Sequence, residues 1–278
     1  MPARAYVVPR LSPDGSRIAL DTRDSGVGIW VWDLIRKSMT RVTFETSVYP
    51  VWTPDSQRIV HTTFDKGVGR LFIRAADGRA QPQQLTDGPR SRYASSLTLD
   101  GAWLLFREEA GDSGLDIGRL SLTDPTRMEA LIKTPVNEMN PEVSHDGRWL
   151  AYESNQSGET QVYVRPFPDT GGGLWQVSTS GGRQPAWNPN GPELFFRAVD
   201  GTLMAVTVTT APRFGVGMPQ RMLERSYYTL GPYRSYDVSR DGKRFLMLKS
   251  SDDSLREPAT IMIVQNWLAE LERLTRQR

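Results

Sequence analysis

Residues Pro141–Ser178 read PEVSHDGRWLAYESNQSGETQVYVRPFPDTGGGLWQVS, and the rest of the chain varies this pattern. Val143–Tyr152 reads as two short strands around a tight Asp146-Gly147 turn. The Asp carboxylate can accept from nearby backbone N–H groups, and Gly adopts φ > 0 without steric cost. A polar loop, Ser154–Thr160, leads to the alternating run Gln161-Val162-Tyr163-Val164-Arg165. A Gly-rich turn then precedes a last strand, Trp175–Ser178. Four strands and three turns make a unit that cannot bury its own faces.

The turn recurs six times, centred on Asp14, Asp55, Asp100, Asp146, Asn190 and Asp241. Successive copies are 41 to 51 residues apart, the period of a four-stranded propeller blade. Each turn is followed by an apolar strand, such as Ile18-Ala19-Leu20 or Leu194-Phe195-Phe196. The expected architecture is all-β: one six-bladed β-propeller domain over 1–278, with blades near 5–45, 46–90, 91–136, 137–180, 181–228 and 229–265.

The ends depart from the pattern. The N-terminus has room only for an innermost strand, about Ala5–Leu11, and the last unit supplies three strands, ending in Ile261–Val264. Trp267, Leu268, Leu271 and Leu274 then follow at helical spacing, with Asn266 as N-cap, so a short C-terminal helix is expected over 266–276. Ring closure by a strand shared between the termini is incomplete, so either this helix and the first residues close it or further sequence precedes the chain.

Composition excludes several classes. The chain has 278 residues, 38% hydrophobic and 24% charged, enough for a sizeable core. Net charge is +2, and its arginines are scattered, so nucleic-acid binding is not implied. There is no cysteine, which removes disulfides and thiolate chemistry. No apolar run reaches membrane-spanning length, so no membrane insertion by this chain is expected.

The Ser-Pro-Asp-Gly turn followed by an apolar strand resembles the TolB-like (PD40, WD40-like) class of bacterial propellers. The runs Ser144–Tyr152, Val162–Pro168, Trp175–Ser178, Tyr236–Gly242 and Val264–Leu268 are similar to the propeller attached C-terminally to many bacterial Ser/Thr kinases. The resemblance spans essentially the whole chain and implies a sensor or interaction domain, extracytoplasmic in such relatives. It carries no catalytic motif. His145 and Arg240 in place of the turn Pro, Ser56 in place of Gly and Asn190 in place of Asp depart from the pattern.

Chemistry-bearing motifs are sparse. Gly26-Val27-Gly28 lacks a third glycine, a phosphate-facing Lys and any H-R-D or D-F-G, which excludes a kinase. There is no G-x-S-x-G elbow, H-E-x-x-H or EF-hand loop. His61 and His145 fall at different repeat positions and do not make a cooperating pair. Asp112/Asp116 and Asp252/Asp253 read as solvated acids, the once-per-blade turn Asp residues as geometric devices, and the sequon at Asn155 as coincidence. No cofactor is expected; the one candidate metal is a calcium on channel carboxylates, the basis of the alternative reading as a lactonase-like hydrolase.

Topology supplies the candidate site. Residues at the start of each innermost strand surround one channel mouth: Tyr49, Arg92, Tyr93, Asn137, Glu138, Asn140, Arg183, Gln184, Tyr233, Arg234 and Tyr236. Asp24, Glu108, Glu109 and Asn155 flank them. Tyr, Arg and amides combine stacking area with directional hydrogen bonds, as recognition surfaces do. Four residues before the turn lie Arg10, Glu142 and Asp237, expected to form an ion network in the channel. The expected partner is a protein, peptide or small molecule at this mouth, bound without catalysis.

Overall fold

The computed structural model describes residues 4–24, 26–111, 114–210, 213–223, 227, 231–249 and 260–265. Antiparallel meanders follow one another along the chain. The first sheet is β1 (Arg10–Leu11), β2 (Arg17–Thr22), β3 (Gly28–Asp33) and β4 (Ser38–Arg41). The second is β5 (Ser47–Trp52), β6 (Arg58–Asp65), β7 (Val68–Ala75) and β8 (Gln83–Gln84). The third is β9 (Arg92–Leu97), β10 (Trp103–Glu109), β11 (Leu115–Ser121) and β12 (Met128–Ile132). The fourth is β13 (Glu138–Val143), β14 (Trp149–Ser154), β15 (Gln161–Pro166) and β16 (Trp175–Gln176).

In the fifth sheet β17 (Arg183–Trp187), β18 (Glu193–Arg197) and β19 (Leu203–Thr209) are followed by a broken outer edge. There β20 (Gly215–Val216) and β21 (Gln220–Arg221) pair with successive parts of β19. The last sheet is β22 (Tyr236–Val238), β23 (Arg244–Lys249) and β24 (Thr260–Gln265).

The expectation of a six-bladed propeller is therefore corrected. Among the described residues five sheets are complete blades and the last has three strands. The chain supplies only three extended segments there before its apolar spacing changes at Trp267. The helix expected over 266–276 lies outside the described residues.

The sheets are held together by the residues that follow each turn. Ile18 and Leu20 pack with Leu246 and Leu248, joining the first sheet to the last. Ala151, Val162 and Val164 meet Trp187, Leu194 and Phe196 between the fourth and fifth. Comparable clusters lie between each other successive pair. Each strand face is apolar because a sheet lies against it, the arrangement that makes blades interdependent.

Trp52 and Trp187 also carry polar links. Their indole Nε1 atoms donate to Arg10 O and Glu142 O of the preceding sheet, at 3.0 and 3.1 Å. At the N-terminus, Ala5–Tyr6 pair loosely with Thr22 and Arg23 at the end of β2. Leu11 N donates to Asp237 Oδ2 at 2.8 Å, so first and last sheets meet through a side chain.

The repeated turn is a closed hydrogen-bond box. Thr98 Oγ1 donates to Asp100 Oδ1 at 2.6 Å, Ala102 N donates to the same oxygen at 2.9 Å, and Trp103 N donates to Thr98 Oγ1 at 3.0 Å. Asp14, Asp55, Asp146 and Asp241 repeat the arrangement. These bonds favour the carboxylate, and the hydroxyl partner holds Asp100 below the usual carboxylate range. In the fifth sheet Asn188 takes over, its Oδ1 accepting from Asn190 N at 3.0 Å. Ser56 occupies the glycine position at φ 59° and its Oγ accepts from Asp14 N, which ties two turns together. This cross-link offsets the strain of a non-Gly residue there.

Candidate binding site: a channel closed at one mouth and open at the other

The innermost strands β1, β5, β9, β13, β17 and β22 line a central channel. Three of them bend at a bulge six residues before the turn, where Tyr49, Asn140 and Gln184 adopt φ of 59°, 49° and 58°. A proline follows each: Pro50, Pro141 and Pro185. Proline suits a bulge because it has no N–H to leave unpaired in the ladder.

The bulges are pinned by a set of residues that sequence reading missed. Seven residues after the turn Asp or Asn, inside the apolar second strand, stand Asp21, Thr62, Arg107, Glu153 and Arg197, all buried. Asp21 accepts from Val8 N of its own sheet at 2.8 Å and from the backbone of Tyr49 in the next. Thr62 Oγ1 accepts from Ala94 N at 3.0 Å. Glu153 Oε1 accepts from Gln184 N and from Asn140 Nδ2, both at 2.5 Å. A polar residue at one fixed offset in an otherwise apolar strand was the available signal.

Arg107 has a different role. Its guanidinium lies 5.1, 4.7 and 5.0 Å from the ring centroids of Tyr49, Tyr93 and Tyr233. Tyr49 and Tyr233 lie 4.5 Å apart, and Asn140 Nδ2 donates to Pro232 O at 2.6 Å. This aromatic box, with the Pro232–Tyr233 segment laid across it, fills the mouth expected to bind a partner. The space left there is about 20 Å³.

Most of the expected face is therefore turned inward. Tyr49, Arg92, Glu138, Gln184 and Tyr236 are buried, and Tyr93, Asn137, Asn140, Tyr233 and Arg234 are half-buried; Arg183 alone of the eleven is exposed. Tyr236 donates its hydroxyl to Gln184 O at 2.7 Å, and Gln184 Oε1 accepts from Ser235 N at 3.0 Å. Arg92 Nε pairs with Glu108 at 2.5 Å, and Glu138 accepts from Thr134. Tyr93 donates to Glu109, Asn155 accepts from Asn137 N at 2.8 Å, and Asp24 pairs with Arg4. The physical reason is that the bulges tuck against neighbouring sheets, Tyr49 and Gln184 being held by Asp21 and Glu153 of the preceding one, which topology alone does not show.

Below the box, the expected network is centred on Arg234, not on Arg10. Arg234 pairs with Glu142 through Nη1 and with Asp237 Oδ1 through Nη2 at 3.1 Å. The second Asp237 oxygen takes Leu11 N, and Glu142 Oε1 takes Trp187 N at 3.3 Å. Arg10 Nη1 donates to the carbonyls of Pro9 and Arg234 at 2.8 and 3.0 Å. Burial, then the neighbouring Arg234 charge, lowers Arg10 to about 9.

Beyond this constriction the channel opens into a funnel of about 630 Å³ on the side of the turns. Its rim is the residue before each turn Asp or Asn: Pro13, Pro54, Leu99, His145, Pro189 and Arg240. Leu99 is 61% exposed. His61 has no part in it, being buried against Phe72 with its Nδ1 on Thr63, and desolvation lowers it to about 3. Among the described residues no three acidic or histidine side chains come together as a metal site, and no helix is long and apolar enough to cross a membrane.

No sequence-family profile matches the chain, and no curated protein matches it in sequence. Solved structures do match. A TolB structure from Agrobacterium tumefaciens superposes with a TM-score of 0.69 at 17% identity, over 94% of this chain and 91% of that one. TolB from Acinetobacter baumannii gives 0.61 at 20%, over 78% and 55%. Oligogalacturonate lyase from Vibrio parahaemolyticus gives 0.63 at 9%, over 95% and 76%. The fold is that of a TolB-like β-propeller. Identities this low establish the fold alone, and the neighbours include a lyase as well as TolB.

Proposed function

We propose that this chain is a non-catalytic recognition propeller, a ligand- or protein-binding module of the kind attached to bacterial Ser/Thr kinases. In this reading the three-stranded sheet counts as the sixth blade. The ligand, a small molecule, a peptide or a protein segment, enters from the side of the turns. One observation carries the reading: the Tyr49–Tyr93–Tyr233 box closes one mouth, while the other opens into the funnel. A concave, partly apolar cavity of this size is where ligands bind.

The channel carboxylates support a structural role over a catalytic one. Glu142 and Asp237 each have a guanidinium and a backbone N–H on their oxygens. A hydrolase built on them would first have to displace these partners. No cofactor enters the reading.

The test is a thermal-shift screen of small acids, bases, sugars and short peptides. A ligand at a hundred times its Kd stabilises the fold by about 2.7 kcal/mol. Hits are expected to lose their shift in Leu99→Glu, which removes an apolar wall of the funnel, and to keep it in Tyr93→Ala. Hits sensitive to Tyr93→Ala alone would move the site to the other mouth. Turnover of a lactone or ester would contradict the non-catalytic reading.

A further inference from the structure

We infer that the funnel takes a carboxylate-bearing ligand with an apolar body. The inference rests on the reading of the funnel as the ligand's entrance. It starts from the residues before the turns. Pro13, Pro54, Pro189 and Leu99 make most of the rim apolar. His145 and Arg240 break the pattern, and both add donors where the repeat elsewhere puts an apolar side chain.

The hydrogen-bonding capacity of the charged groups has one sign. Both carboxylates of the funnel, Glu142 and Asp237, are engaged by Arg234 and by backbone N–H groups. The cations are not saturated. Among the described residues, the buried Nε atoms of Arg10 and Arg234 have no partner. Arg240 and His145 have no hydrogen-bond or ion-pair partner there either; desolvation, then the positive charge of Arg240, disfavours protonation of His145.

Charge counting agrees. Arg10, Arg234 and Arg240 face Glu142 and Asp237, which leaves one positive charge in excess before His145 is considered. Arg10 and Arg234 repel each other across the floor. An anion placed between floor and rim relieves that repulsion, and the two carboxylates it would approach, Glu142 and Asp237, are already neutralised by Arg234. A carboxylate accepts from guanidinium groups at two oxygens, and the proline and leucine side of the rim covers an attached apolar body.

Such a carboxylate has two sources, a free organic acid or the C-terminus of a peptide, and calorimetric titration separates them. The probes are 4-phenylbutyrate with its amide, and acetyl-Leu-Leu-Phe as free acid and as amide. At least one acid is expected to bind, and its amide to bind about tenfold more weakly or worse, the share of one charge-assisted hydrogen bond. A peptide acid tighter than phenylbutyrate would identify a C-terminus, and the reverse a free acid. The double variant His145→Pro, Arg240→Pro restores the residue of three sibling turns, so it keeps the fold, and is expected to lower acid affinity about tenfold.

Equal binding of acid and amide, lost in Leu99→Glu, would overturn the anion and leave the funnel as the entrance. Acid binding indifferent to Leu99→Glu and to the double variant would overturn both. No binding of either acid at millimolar concentration would overturn the inference.

Discussion

Replacing Arg234 by Met is expected to destabilise the protein by about 3 kcal/mol, the cost of leaving buried charge unpaired. Among the described residues Arg234 is the one cation paired with both Glu142 and Asp237, whose side chains are 18% and 14% exposed. Without it the two carboxylates face each other across the channel with, among the described residues, only Leu11 N and Trp187 N as donors. In a chain of this size that corresponds to a fall in melting temperature of roughly 5 °C. Arg234→Lys should recover only part of it, because an ammonium does not offer the planar fork that spans two acids. The triple variant Arg234→Met, Glu142→Gln, Asp237→Asn should recover most of it, since no charge is then unpaired. A triple variant as unstable as the single one would show that packing, not charge, holds the channel.

The second large effect is a pH dependence centred on Glu153. Burial raises this carboxyl from 4.5 to about 7, against the hydrogen bonds from Gln184 N and Asn140 that favour the anion. Its folded-state value lies above its unfolded value, so between those limits the folded protein binds more protons. Its contribution is therefore complete below about pH 4.5 and lost as pH rises through about 7. The full loss is about 3 kcal/mol. His61 acts in the opposite sense, since its folded value near 3 lies below the ordinary 6.5 and costs stability as pH falls.

The two slopes oppose each other, so the informative quantity is a difference. Glu153→Gln keeps an acceptor for Gln184 N and Asn140 Nδ2 but does not titrate. Its stability in urea, minus that of the wild type, is expected to grow by about 3 kcal/mol between pH 4.5 and 8. Parallel pH profiles would show that Glu153 does not titrate in this window. Glu153→Ala should be destabilised at every pH, because the Gln184 N–H at the bulge is then buried without an acceptor.

Much of the fold was legible in the sequence because the information is local. The Ser/Thr-x-Asp-Gly turn closes on itself within six residues, Thr98 to Trp103 in the third sheet, through bonds among those residues alone. Trp52 and Trp187 were readable as core because they recur at one repeat position. The last sheet was readable as three strands for the same reason.

The candidate site was legible only in part. Strand direction alone placed Tyr49, Asn140 and Gln184 near one mouth. That these residues sit in bulges, capped by Asp21 and Glu153, depends on side chains reaching from one sheet to the next. The same holds for Arg107, which stands in a strand of the third sheet yet fills a box made by tyrosines of the second, third and last. Sequence reading took His145 and Arg240 only as departures from the turn pattern. Their meaning changes once the turns are seen to ring a cavity.

Hydrogen–deuterium exchange, with and without the best ligand of the screen, tests the recognition reading most directly. Added protection is expected at 95–99, 142–145 and 237–240, the walls of the funnel, and none at 49, 93 or 233. Protection confined to Tyr49, Tyr93 and Tyr233 would contradict it by placing the ligand at the closed mouth.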